Sequence, residues 1–497
     1  TTDYTVSGTN ITFTTAPTSG DNFFGVAMGE QLQIGTPSDA TITAAKLDTA
    51  ILTGHTDIGA AIVDADLFLV DDGAGGTLRK TAASRIKTYA GTDLTAIADG
   101  SAGSPSIANS GDTNTGVFFP AADTVGITAG GTEQFRFGSN PIPGGNKNML
   151  INGNMAIAQR GALSAQGGDN VYTTIDRWEL ADPAGGQARW NFAQGTSGGI
   201  SGKDKWLSAT VATAESSIAS GELNALRQKV EGNNATGLIN SSGQIKASTL
   251  SFDVKFDAHS SSSTSAPYAA CVFIYAVDAN YTFTSQISIA ADNTWERISV
   301  SVPALAQAAS TVDTTEGYRV GFMLYSGSTY NATSDSWESG SNALSTSAQE
   351  NLADYAGNIF GITNVQWEVG SVATDFAHED VGTTTLKCYR YYWRFTATSG
   401  ANYAVAHNIS TTACQTMFVP PAPLRSSGWS LETSGSATDY RIAVGQSTIT
   451  CSAVPAKHVS NTDIVTVTWT VASGLTEGGS GRPQDIGTQY LAVEDEL

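Results

Sequence analysis

Two loop phrases hold carboxylates at a spacing that could do chemistry. Asp313 and Glu316 in "DTTEG", and Asp335 and Glu338 in "DSWESG", could flank a glycosidic bond as acid and nucleophile. Both phrases sit among Ser, Thr and Gly, so turn and surface carboxylates are the preferred reading. A Ser-His-Asp relay would need one of His55, His259, His378, His407 or His458 to meet a serine and an aspartate in space. No Gly-x-Ser-x-Gly elbow marks such a serine, and no H-x-x-x-H pair, P-loop or dinucleotide fingerprint is present. Cys271, Cys388, Cys414 and Cys451 form no C-x-x-C pair and have no histidine at zinc spacing, so they are expected as buried or partly buried thiols. The expectation is a protein that is not an enzyme and needs no cofactor.

Binding chemistry is better represented. Sugars present apolar C–H faces and many hydroxyls, which suit exposed aromatic rings beside short polar side chains. Residues 379–497 carry Tyr391, Tyr392, Trp393, Tyr403, Trp429, Tyr440, Trp469 and Tyr490. In "VTVTWTVA" strand alternation puts Trp469 on the face of Val465, Val467 and Val471, so it reads as core. Trp429 lies in the Ser/Gly phrase "SSGWSLETSG", and Tyr403 and Tyr440 lie near turns. These three are the candidate receptor contacts, with ordinary sheet packing as the competing reading. "YRYYWRF" reads as a segment that docks the terminal module onto its neighbour.

The elements that must position these residues are strands. The chain has 497 residues, of which 40% are hydrophobic and only 14% charged, with 52 glycines. A surface rich in Ser, Thr, Asn and Gly suits short strands and many turns. The formal net charge of −21 argues against a nucleic-acid partner and against insertion at an anionic membrane surface. No signal peptide and no apolar run of membrane-spanning length is read in the sequence.

The expected architecture is mainly all-β, in five segments. Residues 1–39 read as a β stem segment. Residues 40–98 read as a helix over 40–53 and then strand, turn, strand, helix, ending in "AASRIKTYA". Residues 99–140 read as an intertwined β-repeat stem with strands at Gly116–Phe119, Thr124–Thr128 and Glu133–Phe137. Residues 141–378 alternate with period two in "LRQKVEG", "STLSFDVKFDAH", "ACVFIYAVD", "WERISVSVP" and "YRVGFMLYS", which indicates a jelly-roll β-sandwich. Residues 379–497 read as a β-sandwich-like tip. The stem segments are too small for cores of their own, so identical chains must cover one another's apolar faces.

"NMLINGNMAIAQRG" at 148–161, "IDRWEL" at 175–180 and "NVQWEVGSVATDFAH" at 364–378 mark the limits of the large unit. The first and last phrases resemble the opening and closing phrases of a jelly-roll domain common in bacteriophage tail fibres. "RQKVEG", "NTWERISVSV" and "CYRYYWRF" resemble segments of the same fibres, and the phrases before residue 140 resemble stem modules. The resemblance implies a homotrimeric tail fibre in the virion. It would be joined to other phage tail proteins at its N-terminal end and would bind a bacterial surface glycan or protein at its tip. A head fibre, a secreted adhesin with a sugar-binding module, and a polysaccharide-degrading tailspike are the competing readings. The tailspike would need a long parallel β-helix or a clear carboxylate pair. Two departures stand out: Trp367 replaces the usual Leu, and Asn154 stands where Asp is common. Related carbohydrate-binding modules hold a structural calcium near these termini, and Asn154 leaves room only for a mixed oxygen site. In "IDRWEL" a large aromatic stands beside an ion pair: Trp178 reads as filling the core while Arg177 pairs at its rim, with a sugar stacked on Trp178 as the competing reading.

Overall fold

The computed structural model describes all residues except 1–2, 23, 25–55, 57, 72–77, 93–96, 138–146, 309–311, 397–400, 460 and 488. The chain divides into two compact units, Thr1–Gly100 and Ser101–Leu497.

In the first unit Tyr4–Ser7 pairs with Asn10–Phe13, and Val6 stands opposite Ile11. Among the described residues nothing covers this pair: Val6 is 61% exposed, and Tyr4 and Ile11 are also open. Leu67–Asp71 pairs with Leu78–Ala82, which runs into the helix Ala83–Thr92. This is the strand–strand–helix order expected, again with apolar side chains outward (Leu69 is 72% exposed, and Ile86 and Tyr89 face solvent). The helix expected over 40–53 lies outside the described residues.

The second unit opens with an antiparallel meander of Ile107–Asn109, Asp112–Phe118, Val125–Ala129 and Thr132–Phe137. Two details differ from expectation. Asp112 to Asn114 belong to a strand rather than a turn, and Ile107–Asn109 adds an edge. Both follow from the tight turn closed by Asn109, whose Oδ1 accepts the Gly111 N–H at 2.8 Å. The strands pair with one another in sequence order within one chain. Phe118 is buried, whereas Ile107, Phe135 and Phe137 are exposed.

Residues 148–378 build a sandwich of two antiparallel sheets. The seven-stranded sheet runs Val171–Tyr172, Glu179–Ala181, Leu223–Glu231, Glu316–Ser326, Tyr268–Ala276, Tyr281–Ile289, Ser336–Ser339. The six-stranded sheet runs Glu296–Val302, Ser248–Asp257, Ile359–Val369, Asp204–Thr213, Arg189–Gly198, Leu163–Gln166. Most neighbours are distant in sequence, as crossing jelly-roll connections require. Leu250, Phe252, Val254 and Phe256 alternate into the core, where Phe252 meets Phe322 of the facing sheet edge-on at 4.8 Å. Trp178, Trp190 and Trp367 are fully buried there.

The opening and closing phrases are physically joined. The Asn148 side chain donates to the Val365 carbonyl and accepts from the Leu150 and Trp367 N–H groups. Asn152 adopts φ +58° while its amide bonds both the N–H and the carbonyl of Ile157. A Cβ at Gly153 would stand 2.1 Å from the Val365 carbonyl oxygen, so only glycine fits this approach. Met155 enters the sandwich core, as expected, while Ile157 enters a separate small cluster with Cys388 and Tyr391.

Residues 380–497 begin with a helix that the sequence reading did not foresee, Val381–Tyr389. Asp380 caps it, accepting the Gly382 and Thr383 N–H groups. Tyr392–Thr396 then pairs with Tyr490–Glu494, which pairs with Ser430–Glu432. The strands expected as sandwich-like instead close a barrel in the order Ala406–Asn408, Ala413–Phe418, Val465–Val471, Ser447–Val459, Tyr440–Val444, Ser480–Asp485. Trp469, Val465, Val467 and Val471 face its interior, as their alternation predicts. All four cysteines are buried and unpaired.

Segments at both ends of the terminal module cover part of one face of the sandwich. Strand Leu223–Glu231 is buried at every position, so both of its faces are covered. Leu226 and Val230 face the core; on the opposite face Leu223 and Ala225 pack with Cys271, Phe273 and Met323, Arg227 pairs with Glu179, and Lys229 and Glu231 meet the terminal segments. Lys229 donates to the Leu497 carbonyl at 2.7 Å. Glu231 accepts two bonds from Arg390 and one from the Tyr391 hydroxyl. Arg177 is not at a rim: it is 1% exposed, 3.6 Å over the Tyr391 ring, and it bonds Glu496 and the Lys229 carbonyl. Arg160 likewise lies 3.6 Å over Tyr392 and pairs with Glu496 at 3.3 Å. "YRYYWRF" therefore docks the terminal module, as its aromatic content suggested.

Candidate functional site

Of the three rings expected at the receptor, Trp429 and Tyr440 lie inside the terminal module and Tyr403 lies at its half-buried edge. Trp429 is 1% exposed, its Nε1 donates to the Asn461 carbonyl at 2.9 Å, and Lys457 sits 4.2 Å from its ring centre. Tyr440 is fully buried and its hydroxyl donates to the Tyr490 carbonyl at 2.8 Å. Tyr403 is half-buried, 5.6 Å from the Trp469 ring, and burial raises its phenol above the ordinary value. The expectation that these rings face solvent is corrected for Trp429 and Tyr440, which are buried, whereas half-buried Tyr403 keeps part of its surface open. A Ser/Gly-rich loop fixes where the chain turns, but the barrel core, with apolar space to fill, decides which way an isolated ring points.

The carboxylates of the two loop phrases are engaged locally. Asp313 accepts the Thr315 N–H, and Glu316 pairs with Arg319. Asp335 accepts from Ser285, and Glu338 accepts the Thr333 N–H. A polar hollow of about 420 Å³ lies beside the second phrase, lined by Asn280, Thr329, Asn331, Glu338 and Asn342 among others, with no aromatic ring. Close to Asn154 in the sequence, the Asn152 amide serves Ile157, and Asp176 accepts the Gln159 N–H. Among the described residues no three His, Cys, Asp or Glu side chains gather as a metal-ligating group.

The arrangement best suited to a ligand lies on the outer face of the six-stranded sheet. In Asp204–Thr213 the residues Leu207, Ala209 and Val211 face the core, so Trp206 must face outward. Its indole lies across the two neighbouring strands on a bed of glycines. A Cβ at Gly195 would fall 2.1 Å from the ring, one at Gly198 2.4 Å from it, and one at Gly361 3.0 Å. Glycine at these points lets the ring settle onto the backbone. Trp295, just before Glu296–Val302, meets Trp206 at 5.5 Å between centres and 82° between planes. Both indoles are half-buried, so each keeps ring surface open to solvent.

Polar groups surround the pair. Lys255 places its ammonium 5.1 Å from the centre of the Trp206 ring and 5.9 Å from that of Trp295, and donates to Asn293 Oδ1 at 2.8 Å. Asp253 accepts from Arg297, Asn364 and the Ile200 N–H at 3.0–3.2 Å. Asp204 accepts from Ser201 and from the same Asn364 amide. This web fixes the sheet face around the indoles. Open aromatic surface edged by hydrogen-bonding groups can hold the C–H face of a sugar ring and its hydroxyls without covalent chemistry. Trp206 and Trp295 were missed as candidates, although their strand parity opposite the apolar residues was a readable signal.

No family model matches the chain, and no curated protein matches it. Similar solved structures include a mutant family 29 carbohydrate-binding module complexed with cellulohexaose. It shows 10% identity over 42% of this chain and 92% of that one, with a TM-score of 0.19. A second family 29 mutant shows 10% identity over 44% and 98%, with a TM-score of 0.21. TmCBM61 in complex with beta-1,4-galactotriose shows 9% identity over 45% and 100%, with a TM-score of 0.20. Overlaps of this size add nothing to the strand order, on which the jelly-roll assignment stands.

Proposed function

We propose that this chain is the subunit of a homotrimeric bacteriophage tail fibre that attaches the virion to a bacterial surface glycan by non-covalent binding. The observation that carries the binding reading is the Trp206–Trp295 pair seated on Gly195, Gly198 and Gly361, with hydrogen-bonding groups beside it. The trimer is supported by the apolar side chains before residue 140, where Val6, Leu69 and Phe135 are more than 60% exposed. Exposed apolar surface on such small elements calls for a partner, and identical chains about a three-fold axis supply one. Three copies would also convert weak sugar contacts into avidity. The order of the motif phrases supports the tail-fibre assignment, with the N-terminal end joining other tail proteins. Binding rather than cleavage is supported by the local engagement of the loop carboxylates.

The test is adsorption of the full chain to host cells and to their purified polysaccharide. Trp206→Ala is expected to weaken both by about tenfold, the worth of one stacked ring, with little change in melting temperature. Unchanged adsorption, or shortened polysaccharide chains after incubation, would overturn the reading. Light scattering is expected to give three times the mass of one chain; a monomer would remove the trimer.

A further inference from the structure

We propose that the glycan taken by the indole face carries a carboxylate, so that its class is the acidic sugars, with Lys255 as the residue that selects it. This deepens the binding reading above and rests on it. The observation is the unpaired ammonium among the rings. Lys255 stands within 6 Å of both indole centres, and its one polar partner on that face is the neutral Asn293 amide at 2.8 Å. No carboxylate of the described residues lies within ion-pair distance of it, Asp257 two residues along the same strand included.

Of the other charges near the indoles, Asp253, Arg297 and Asp204 are already engaged. Asp253 is paired with Arg297 at 3.1 Å and also takes the Asn364 amide. Arg297 gives its remaining bonds to Ser251 Oγ and the Asn364 carbonyl. Asp204 takes Ser201 and Asn364. Lys255 is therefore the cation of this cluster with donor capacity left, since an ammonium has three hydrogens and Asn293 uses one. A pyranose resting on either indole would bring its ring substituents into reach of that ammonium. A neutral sugar can offer it a hydroxyl. A hexuronic acid offers a carboxylate, and a hydrogen bond between two charged groups is the stronger of the two. The net charge of −21 repels polyanions at long range, so the selectivity must be a contact effect. It should be read near physiological salt, where the screening length is about 8 Å.

The experiment is calorimetric titration of the full chain with a hexuronic-acid oligosaccharide and with the same oligosaccharide after reduction of its carboxyls to alcohols. The acid form is expected to bind about fivefold to tenfold more tightly, the range of a half-exposed charged contact. Lys255→Met, which keeps the aliphatic stem beside the rings, is expected to erase that gap, so that the variant binds the acid and reduced forms equally, with the melting temperature unchanged. Equal affinities for the two forms, with both still weakened about tenfold in Trp206→Ala, would overturn the acidic preference and leave the indole face standing. Binding of neither form would overturn both. A gap that survives Lys255→Met would overturn the assignment to Lys255.

Discussion

The contact between Glu231 and the segment that begins the terminal module can be tested by removing one carboxylate. Glu231 accepts Arg390 Nε at 3.0 Å, Arg390 Nη2 at 2.7 Å and the Tyr391 hydroxyl at 2.5 Å, and its side chain is 1% exposed. Truncation to Ala strands a guanidinium and a buried phenol. Breaking a fully buried ion pair costs about 3–5 kcal/mol, because the surviving charge stays dry. The Arg390 side chain keeps 29% of its exposure and can recover water, so the cost here falls to about 2 kcal/mol. Amide exchange in the native state reads this locally. The Arg394 N–H donates across to Gln159 Oε1 of the sandwich at 3.1 Å, so its exchange reports undocking of the segment. Glu231→Ala is expected to speed it about thirtyfold, as 2 kcal/mol implies. Arg390→Ala should do most of the same, and the double variant should add little, because both changes break one contact. Exchange altered less than twofold, or losses that simply add in the double variant, would refute the claim that this pair fastens the module.

The same carboxylate gives a pH dependence. Burial raises its pKa, but Arg390 and Tyr391 outweigh burial and hold it below the ordinary glutamate value of 4.5. A depressed carboxylate contributes stability above its unfolded pKa and loses it as pH falls through the folded one. The stability gap between wild type and Glu231→Gln should therefore be full at pH 6 and shrink below pH 4.5 in paired urea titrations. Gly195→Ala places a methyl where the Trp206 ring now lies, 2.1 Å from it, and should lift the indole. Glycan affinity should fall about tenfold and the fluorescence of the half-buried indole should shift to the red, with a small change in melting temperature. Burial pushes the thiols of Cys414 and Cys451 up to about 12, so iodoacetamide at pH 8 should label them only after unfolding.

Strand parity was legible wherever a strand alternates against a single core. It assigned Trp469 to the barrel interior, and the same rule applied to "KDKWLSATVAT" would have put Trp206 on the outer face opposite Leu207, Ala209 and Val211. Parity says nothing of a ring in a loop, which is why Trp429 was misplaced: its orientation is set by Asn461 and Lys457, which lie far along the chain. Nor could sequence bring together Gly195, Gly198 and Gly361, since their common purpose appears only when three strands adjoin beneath one indole. The helix at Val381–Tyr389 hid behind threonines that favour strands, and only the Asp380 cap betrayed it. The hardest feature was Arg177. Beside Asp176 and Trp178 it reads as a local rim pair, yet its carboxylate partner stands 319 residues away at Glu496. That separation changes what the opening phrase means. Part of its residues, with Ile151, Ile157, Arg160 and Arg177, hold the end of the chain and not a ligand, so residues 379–497 cannot be removed without uncovering buried charge in the sandwich.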